Sequence, residues 1–150
     1  MAKFKTSIII NKPIDEVIQA YLEPKNIPYW MTNVVNYEVI EGKMGEIGTI
    51  IRLHYNQSGQ NTIIEDKLIY CEKGKKYVSE RASKTLIVQL ETTFNSLKNA
   101  TKMNLVWSGK GKVFILKLLL PLMRKNLRKL AKSELVRFRN MVIDKAHIMV

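Results

Sequence analysis

The longest hydrophobic pattern lies in the last third of the chain, residues 113–150, where apolar residues recur mostly every three or four positions. This spacing places them on one side of a helix and predicts a long α-helix whose buried side extends over about 40 Å. Pro121 removes one intrahelical hydrogen bond, so we expect a kink near the start of the helix. The residues predicted to form its buried side are Leu116, Leu120, Met123, Leu127, Leu130, Leu135, Phe138 and Val142.

Upstream of this helix the hydrophobic period changes to two, which is typical of β-strands. Turn-forming residues divide the region into six predicted strands, near residues 34–41, 47–56, 61–72, 76–82, 85–94 and 101–108. A further strand is predicted over residues 4–10. A helix over residues 14–22 and a short aromatic helix or turn at residues 27–31 follow it. Because the loops between the later strands are too short for parallel crossovers, we expect an antiparallel meander.

Alternation along the last two strands predicts which side chains face the long helix. The inward set is Leu86, Val88, Leu90, Thr92, Phe94, Met103, Leu105 and Trp107. The strand over residues 61–72 is ambiguous, since Ile63 and Ile69 compete with Ile64, Leu68 and Tyr70 for the inner face.

The chain is strongly basic, with 25 Lys and Arg against 13 Asp and Glu and a formal net charge of +12. Ten basic and two acidic side chains lie within residues 112–145, so the side of the long helix opposite its apolar residues is cationic. Such a face attracts an anionic membrane, nucleic acid or an acidic ligand, or is simply solvated. The residues expected to contact a membrane or another anion are Arg124, Lys125, Arg128 and Lys129.

Nucleic acid is the least favoured of these partners. RNA-binding surfaces combine basic side chains with exposed aromatic ones. In the cationic part of the helix the aromatic residue is Phe138, and it falls on the predicted apolar side.

The length of 150 residues and the globular composition predict a single domain over residues 1–150, and cysteine usage and the N-terminus indicate a soluble, cytoplasmic protein. Cys71 has no second cysteine with which to form an intrachain disulfide, which fits a reducing compartment. The N-terminal apolar run is too short for a signal peptide or a membrane span.

The element order resembles the helix-grip fold, and the chain is similar to the START-like or SRPBCC (Bet v 1-like) superfamily, closest to its polyketide cyclase/dehydrase-like branch. Four stretches carry this resemblance: residues 8–17 (IIINKPIDEV), residues 28–30 (PYW), the glycine-containing stretch 42–49, and residues 100–103 (ATKM). Ala100 departs from the glycine that this family often has in that turn. The resemblance implies an α+β fold, in which a seven-stranded antiparallel sheet curls around the C-terminal helix.

The resemblance also implies an apolar cavity between sheet and helix for a lipid, sterol, polyketide, quinone or similar molecule. The candidate ligand-binding residues are Tyr21, Trp30, Leu53, Tyr55, Val88, Leu90, Phe94, Met103, Leu105, Trp107, Phe114, Leu118, Leu119, Leu122 and Met123. The same side chains would equally fill a solid core, and the resemblance favours the cavity. Residues 113–123, either buried or forming an apolar lid, and the loops near Trp30 and Gly45 would form its gate.

Catalytic chemistry is weakly represented, and we expect no cofactor, no metal and no catalytic residue set. The glycines do not form a phosphate loop, and His54 and His147 lack a metal-binding spacing. Acid–base work would need an internal titratable group. Asp66 fills this role if Ile64, Leu68 and Tyr70 face inward, and His54 or Arg52 does so if the other strand face is internal. Tyrosines on the strands could present phenols to a ligand, namely Tyr37, Tyr55, Tyr70 and Tyr77.

Three functions therefore remain for the chain. The first is noncatalytic binding or transport of a small hydrophobic molecule. The second is a polyketide cyclase or dehydratase-like enzyme, which a polar cluster in the cavity would favour. The third is a protein- or membrane-interaction module that uses the basic helix.

Overall fold

The computed structural model describes the backbone of residues 1–148 and the side chains of residues 1–144. The last two residues of the predicted helix and the side chain of His147 lie outside this description. The helices are α1 (Ile14–Leu22), α2 (Ile27–Trp30), which follows a 3₁₀ turn at Pro24–Asn26, and α3 (Phe114–Ile148). The strands are β1 (Ala2–Ile10), β2 (Val34–Glu41), β3 (Ile50–Gln57), β4 (Gln60–Glu72), β5 (Lys76–Ala82), β6 (Leu86–Leu97) and β7 (Ala100–Gly111).

Within the described residues the strands form one seven-stranded antiparallel sheet in the order β1-β7-β6-β5-β4-β3-β2. The later strands pair as sequence neighbours through short turns, and β1 closes the sheet against β7, with Ala2 opposite Gly109 and Ile10 opposite Thr101. The predicted α+β fold class and helix-grip arrangement are confirmed. The sheet leaves β1 and β2 as its edge strands.

A β-bulge decides the ambiguous faces of β4. The register between β4 and β5 shifts between Leu68 and Tyr70, so one extra residue reverses the alternation there. Leu68 is half-buried and faces inward, whereas Tyr70 is exposed and Cys71 packs against the core. The expectation that Tyr70 shares the inner face with Ile64 and Leu68 is therefore wrong for Tyr70.

Helix α3 buries apolar side chains near its start and again from Leu135 onwards, with more exposed apolar residues between them. Leu120 near its start and Leu135 and Phe138 further along are almost completely buried. Met123 and Leu130, which the periodicity assigns to the same buried side, are 41% and 52% exposed. The prediction of one continuous buried side is wrong at these two positions.

Basic side chains join the middle of α3 to the edge strand β1. Arg124 Nε donates to the carbonyl of Lys3 at 2.7 Å, Arg128 Nε donates to that of Lys5 at 3.0 Å, and Lys132 Nζ donates to that of Ser7. The spacing of four residues on the helix matches alternate carbonyls on the strand. These contacts satisfy backbone acceptors that an edge strand would otherwise present to another chain.

A close contact between Gly111 and the first turns of α3 fixes where the helix leaves the sheet. A Cβ atom at Gly111 would lie 2.8 Å from Lys117 N and 2.9 Å from the backbone carbon of Leu116. Glycine is therefore required for this approach. None of the described helices is both long and apolar enough to cross a membrane.

Candidate functional site

A partly open cavity of about 90 Å³ lies between the inner face of the sheet, helices α1 and α2, and the Glu134–Leu135 turn of α3. Most of its wall is apolar. Because pockets for drug-sized ligands usually measure about 300–1,000 Å³, this one accommodates a small molecule or one portion of a longer one. The apolar lining comprises Leu22, Ile27, Trp30, Met31, Met44, Ile51, Leu53, Leu68, Leu90, Met103, Leu105 and Leu135.

Tyr21 of α1 is the centre of an aromatic cluster at this cavity. Its ring centroid lies 5.2 Å from that of Phe94, 5.8 Å from Tyr77 and 6.0 Å from Trp30. The phenol lies 3.2 Å from Thr92 Oγ1, to which it donates. Burial raises the pKa of Tyr21 to about 12, with smaller opposing and supporting contributions from its neighbours. Tyr21 is therefore a neutral phenol at physiological pH, able to donate but not to act as a base.

An ion pair forms a charged part of the cavity wall. Arg81 Nε of β5 donates to Asp66 Oδ2 of β4 at 2.7 Å, and the two side chains are only 19% and 13% exposed. Burial by itself would lower the pKa of Arg81, but the neighbouring Tyr55, Asp66 and Glu134 hold it above its usual value. Arg81 is consequently a permanent cation beside the cavity, partly balanced by Asp66.

Tyr55 interacts electrostatically with both members of this ion pair. Burial raises the pKa of its phenol, opposed by the nearby Arg81 cation. Tyr55 therefore remains neutral at physiological pH and adds a polar but uncharged group next to Arg81.

Hydrogen bonds from α3 hold the segment between α2 and β2 at the rim of the cavity. Glu134 accepts from the backbone N–H of Thr32 at 3.0 Å. Arg137 Nε donates to the carbonyl of Trp30 at 3.2 Å, and its Nη2 donates to Thr32 Oγ1 at 2.5 Å. The rim is therefore positioned by charge-assisted hydrogen bonds rather than by packing alone.

The indole of Trp30 carries a buried donor that the protein does not use. Trp30 lines the cavity, and its Nε1 is inaccessible to solvent and has no hydrogen-bond partner within the described part of the chain. Buried polar groups in native proteins are nearly always paired, so an unpaired indole N–H beside the cavity is unusual.

Comparison with solved structures identifies the architecture. Ara h 8.0201 superposes with a TM-score of 0.74 and 12% identity over 95% of this chain and 97% of its own. A START superfamily protein from Mycobacterium smegmatis gives a TM-score of 0.66 and 10% identity over 89% and 96% of the two chains. The di-domain ARO/CYC StfQ from the steffimycin biosynthetic pathway gives 0.78 and 14% over 97% of this chain and 52% of StfQ.

The chain has the START-like, helix-grip fold. At these identities the similarity establishes the fold alone. No protein-family model and no curated protein sequence matches the chain. The START-like architecture agrees with the resemblance seen in the sequence, including the long C-terminal helix and the short helices between β1 and β2.

Six of the fifteen predicted ligand-binding residues line the cavity of this START-like domain, namely Tyr21, Trp30, Leu53, Leu90, Met103 and Leu105. Tyr55 is half-buried and interacts electrostatically with Arg81, but it is not part of the lining. Phe94 is buried in the aromatic cluster behind the wall, and Trp107 stacks on Phe4 at a centroid distance of 5.1 Å. Val88 is half-buried on β6 and is not part of the lining.

The remaining five predicted residues face solvent. Phe114, Leu118, Leu119, Leu122 and Met123 are between 41% and 79% exposed. No residue of the segment 113–123 lines the cavity in the described structure, since Leu116 and Leu120 occupy the sheet-facing side there. The segment is thus buried on its sheet-facing side and exposed on its other apolar side, and it does not cover the cavity.

Asp66 lies on the cavity wall, as expected if Leu68 faces inward, whereas Arg52 pairs with Glu38 and Glu65 on exposed positions of the sheet.

Sequence reasoning missed Arg81 and Glu134. A signal for Arg81 existed, because it shares the alternation of Tyr77 and Ser79 on β5, and all three line the cavity. Among the described residues no three His, Cys, Asp or Glu side chains are close enough to hold a metal.

A second, cationic groove of about 600 Å³ runs between the middle of α3 and strands β1 and β7. Its described lining contains five cations and no carboxylate: Lys5, Lys125, Arg128, Lys129 and Lys132. Arg124 and Arg128 are engaged with β1 carbonyls, so they differ from the free membrane contacts expected from sequence. Lys125 and Lys129 have no ion pair or hydrogen bond within the described residues and remain available.

Proposed function

We propose that this protein binds a small molecule that has an apolar body and an oxygen-bearing polar group, in the cavity between the sheet and α3. The observation that carries the proposal is the composition of the wall, which is mostly apolar but also carries charged side chains. These are the Arg81–Asp66 pair, which is largely shielded from water, and Glu134. A purely structural core would exclude such groups, because each costs desolvation free energy that hydrophobic packing avoids.

Native mass spectrometry of the gently purified protein tests this proposal directly. We expect a defined small molecule at stoichiometric occupancy, and its extraction and identification would give the ligand class. Protein that carries nothing, and that also fails to enhance the fluorescence of the apolar anion 1-anilinonaphthalene-8-sulfonate, would contradict the proposal.

A matched pair of variants on β4 localises the binding. Leu68→Trp adds a bulky side chain to the cavity lining, whereas Ile63→Trp places the same group on a strand position that is 56% exposed. Dye binding should fall roughly tenfold in the first variant and stay unchanged in the second, since only the first fills the space. Equal effects would show that the dye binds elsewhere.

A second candidate is an enzyme that cyclises or dehydrates its ligand, and the Arg81–Asp66 pair in the cavity wall favours it. StfQ, an ARO/CYC of a biosynthetic pathway, has the same fold. In such an enzyme Arg81 would bind a carbonyl oxygen. Asp66 would accept a carbon-bound proton and return it to the departing hydroxyl group, so that a double bond forms and water leaves. Incubation with the identified ligand should then give a product that has lost one water, and Asp66→Asn should abolish it while leaving binding intact. An unaltered ligand would favour the carrier.

An anionic membrane and a cytoplasmic location remain proposals from the sequence. The free amines of Lys125 and Lys129, rather than the engaged Arg124 and Arg128, would supply the membrane attraction. Binding to anionic vesicles that does not weaken with added salt would exclude this electrostatic role.

A further inference from the structure

The first turns of α3 carry a continuous apolar surface that faces solvent. Phe114, Ile115, Leu118, Leu119 and Leu122 fall on one side of the helix and are termed the apolar stripe. Their exposed fractions range from 42% for Leu119 to 79% for Leu122. Surface hydrophobic residues are usually scattered singly, and a contiguous group of this kind marks an interaction site.

The orientation of the apolar stripe is fixed by contacts on both sides of it. Before the stripe, the approach of Gly111 to Leu116 holds the start of α3 against β7. After it, Arg124 and Arg128 donate to carbonyls of β1. Leu120 is 2% exposed and occupies the sheet-facing side of the same turns. The stripe therefore cannot be buried by a small rotation of the helix.

Cations surround the apolar stripe. Residues 112–133 include seven Lys and Arg and no Asp or Glu, and the cationic groove continues from the stripe along α3. A second copy of the chain placed on the stripe would bring two such helices together, at a formal charge of +12 each, and the repulsion opposes that pairing. An anionic surface with an apolar interior satisfies both the stripe and its surroundings.

We propose that the apolar stripe inserts into the interfacial region of an anionic membrane, while Lys125 and Lys129 contact the lipid head groups. In this arrangement α3 lies in the plane of the interface, as amphipathic helices with cationic borders do. No residue of the stripe lines the cavity in the described structure. The membrane contact and the cavity wall are therefore formed by different residues.

Vesicle co-sedimentation with a matched control tests the insertion. The stripe variant combines Phe114→Ser with Leu122→Ser. The control combines Val35→Ser with Ile63→Ser, at positions 59% and 56% exposed elsewhere on the sheet. With phosphatidylcholine vesicles that contain about 30 mol% phosphatidylglycerol, we expect the stripe variant to lose at least about tenfold in partitioning and the control to lose less than about twofold.

Two further readouts assign the interaction to this surface. Binding of the unchanged protein should weaken as sodium chloride rises from about 0.05 to 0.5 M and should be weak on pure phosphatidylcholine. The emission of Phe114→Trp should shift to shorter wavelength when vesicles are added, whereas that of Ile63→Trp should not. The stripe variant should keep the dye binding of the cavity, so a failure of membrane insertion is distinguishable from a failure of ligand binding.

Several outcomes would overturn the proposal. Equal partitioning of the stripe and control variants would remove the stripe from the interaction, and so would a lack of binding to every vesicle. A concentration-dependent dimer that the stripe variant abolishes, in protein that ignores vesicles, would assign the stripe to a second copy. Insensitivity to salt and lipid charge would overturn the role of Lys125 and Lys129.

Discussion

Replacing Asp66 by asparagine should destabilise the protein more than any comparable change on the outer face of the same strand. The substitution keeps the shape of the side chain but removes the negative charge that faces Arg81 at 2.7 Å. The guanidinium then remains at the cavity with Glu134 as a more distant balance. Asp66→Asn therefore leaves a poorly compensated cation in a site that is largely shielded from water.

The magnitude follows from the burial of the pair. Breaking a fully buried ion pair costs about 3–5 kcal/mol, and breaking an exposed one costs about 0–1 kcal/mol. Because the side chains of Asp66 and Arg81 retain 13% and 19% exposure, the loss should be about 2–3 kcal/mol. Combining Asp66→Leu with Arg81→Met should recover at least about 1 kcal/mol of this loss, since apolar replacement of both partners removes the desolvation cost.

The adjacent residue on β4 supplies the control. Glu65 pairs with Arg52 at 3.3 Å, but these side chains are 52% and 38% exposed, so Glu65→Gln should cost less than about 1 kcal/mol. Urea unfolding at neutral pH gives the free energy of unfolding for each variant, provided that the denaturant dependence stays constant. Equal losses for Asp66→Asn and Glu65→Gln, or a double variant less stable than Asp66→Asn, would refute the description of a shielded pair.

Three further changes have defined outcomes. Burial raises the pKa of Tyr21 to about 12, so its contribution to stability is complete below about pH 10 and is lost as pH rises from 10 to 12. In urea unfolding, the stability advantage of the unchanged protein over Tyr21→Phe should therefore shrink by on the order of 1 kcal/mol between pH 8 and pH 11. Gly111→Ala should lower the free energy of unfolding by about 1–3 kcal/mol and lower the melting temperature, because the alanine Cβ would meet the backbone of Leu116. An unchanged melting temperature would contradict this contact. Arg128→Met should lower the free energy of unfolding by less than about 1 kcal/mol in the urea assay, because the hydrogen bond from Arg128 to the Lys5 carbonyl is exposed. A larger loss would indicate that covering the edge of β1 is critical for folding.

The fold could be predicted from sequence because its signals are local and mutually consistent. The change from period two to period 3.6 separates sheet from helix, and the short loops leave antiparallel pairing as the only connection. The bulge between Leu68 and Tyr70 could not be predicted, since it depends on the register with β5. This one inserted residue places Tyr70 on the solvent-exposed face of β4.

The candidate site was less predictable because it depends on distances across the sheet. Periodicity identifies Leu53 and Met103 as inward residues, but it does not distinguish a cavity wall from a packed core. Arg81 was missed because a basic residue on a strand is usually solvated, and its proximity to Asp66 appears only once β4 and β5 are paired. The cavity cannot be assigned to the apolar residues at the start of α3 from sequence, because helical spacing alone does not say which of two apolar sides faces the sheet.

The contacts of helix α3 divide it into parts that can be tested separately. Leu135 and Phe138 in its C-terminal part close the cavity and the aromatic cluster. The basic residues of its middle attach it to β1, and its apolar start is turned to solvent. A change in the stripe therefore alters the surface without reshaping the cavity, whereas a change near Leu135 does the reverse. If the protein delivers its ligand to a membrane, the middle of α3, which is attached to β1, is the segment that would couple the stripe to the cavity. Loosening this segment by Arg128→Met should then reduce the ligand release that vesicles stimulate, while vesicle binding and ligand binding measured separately stay unchanged.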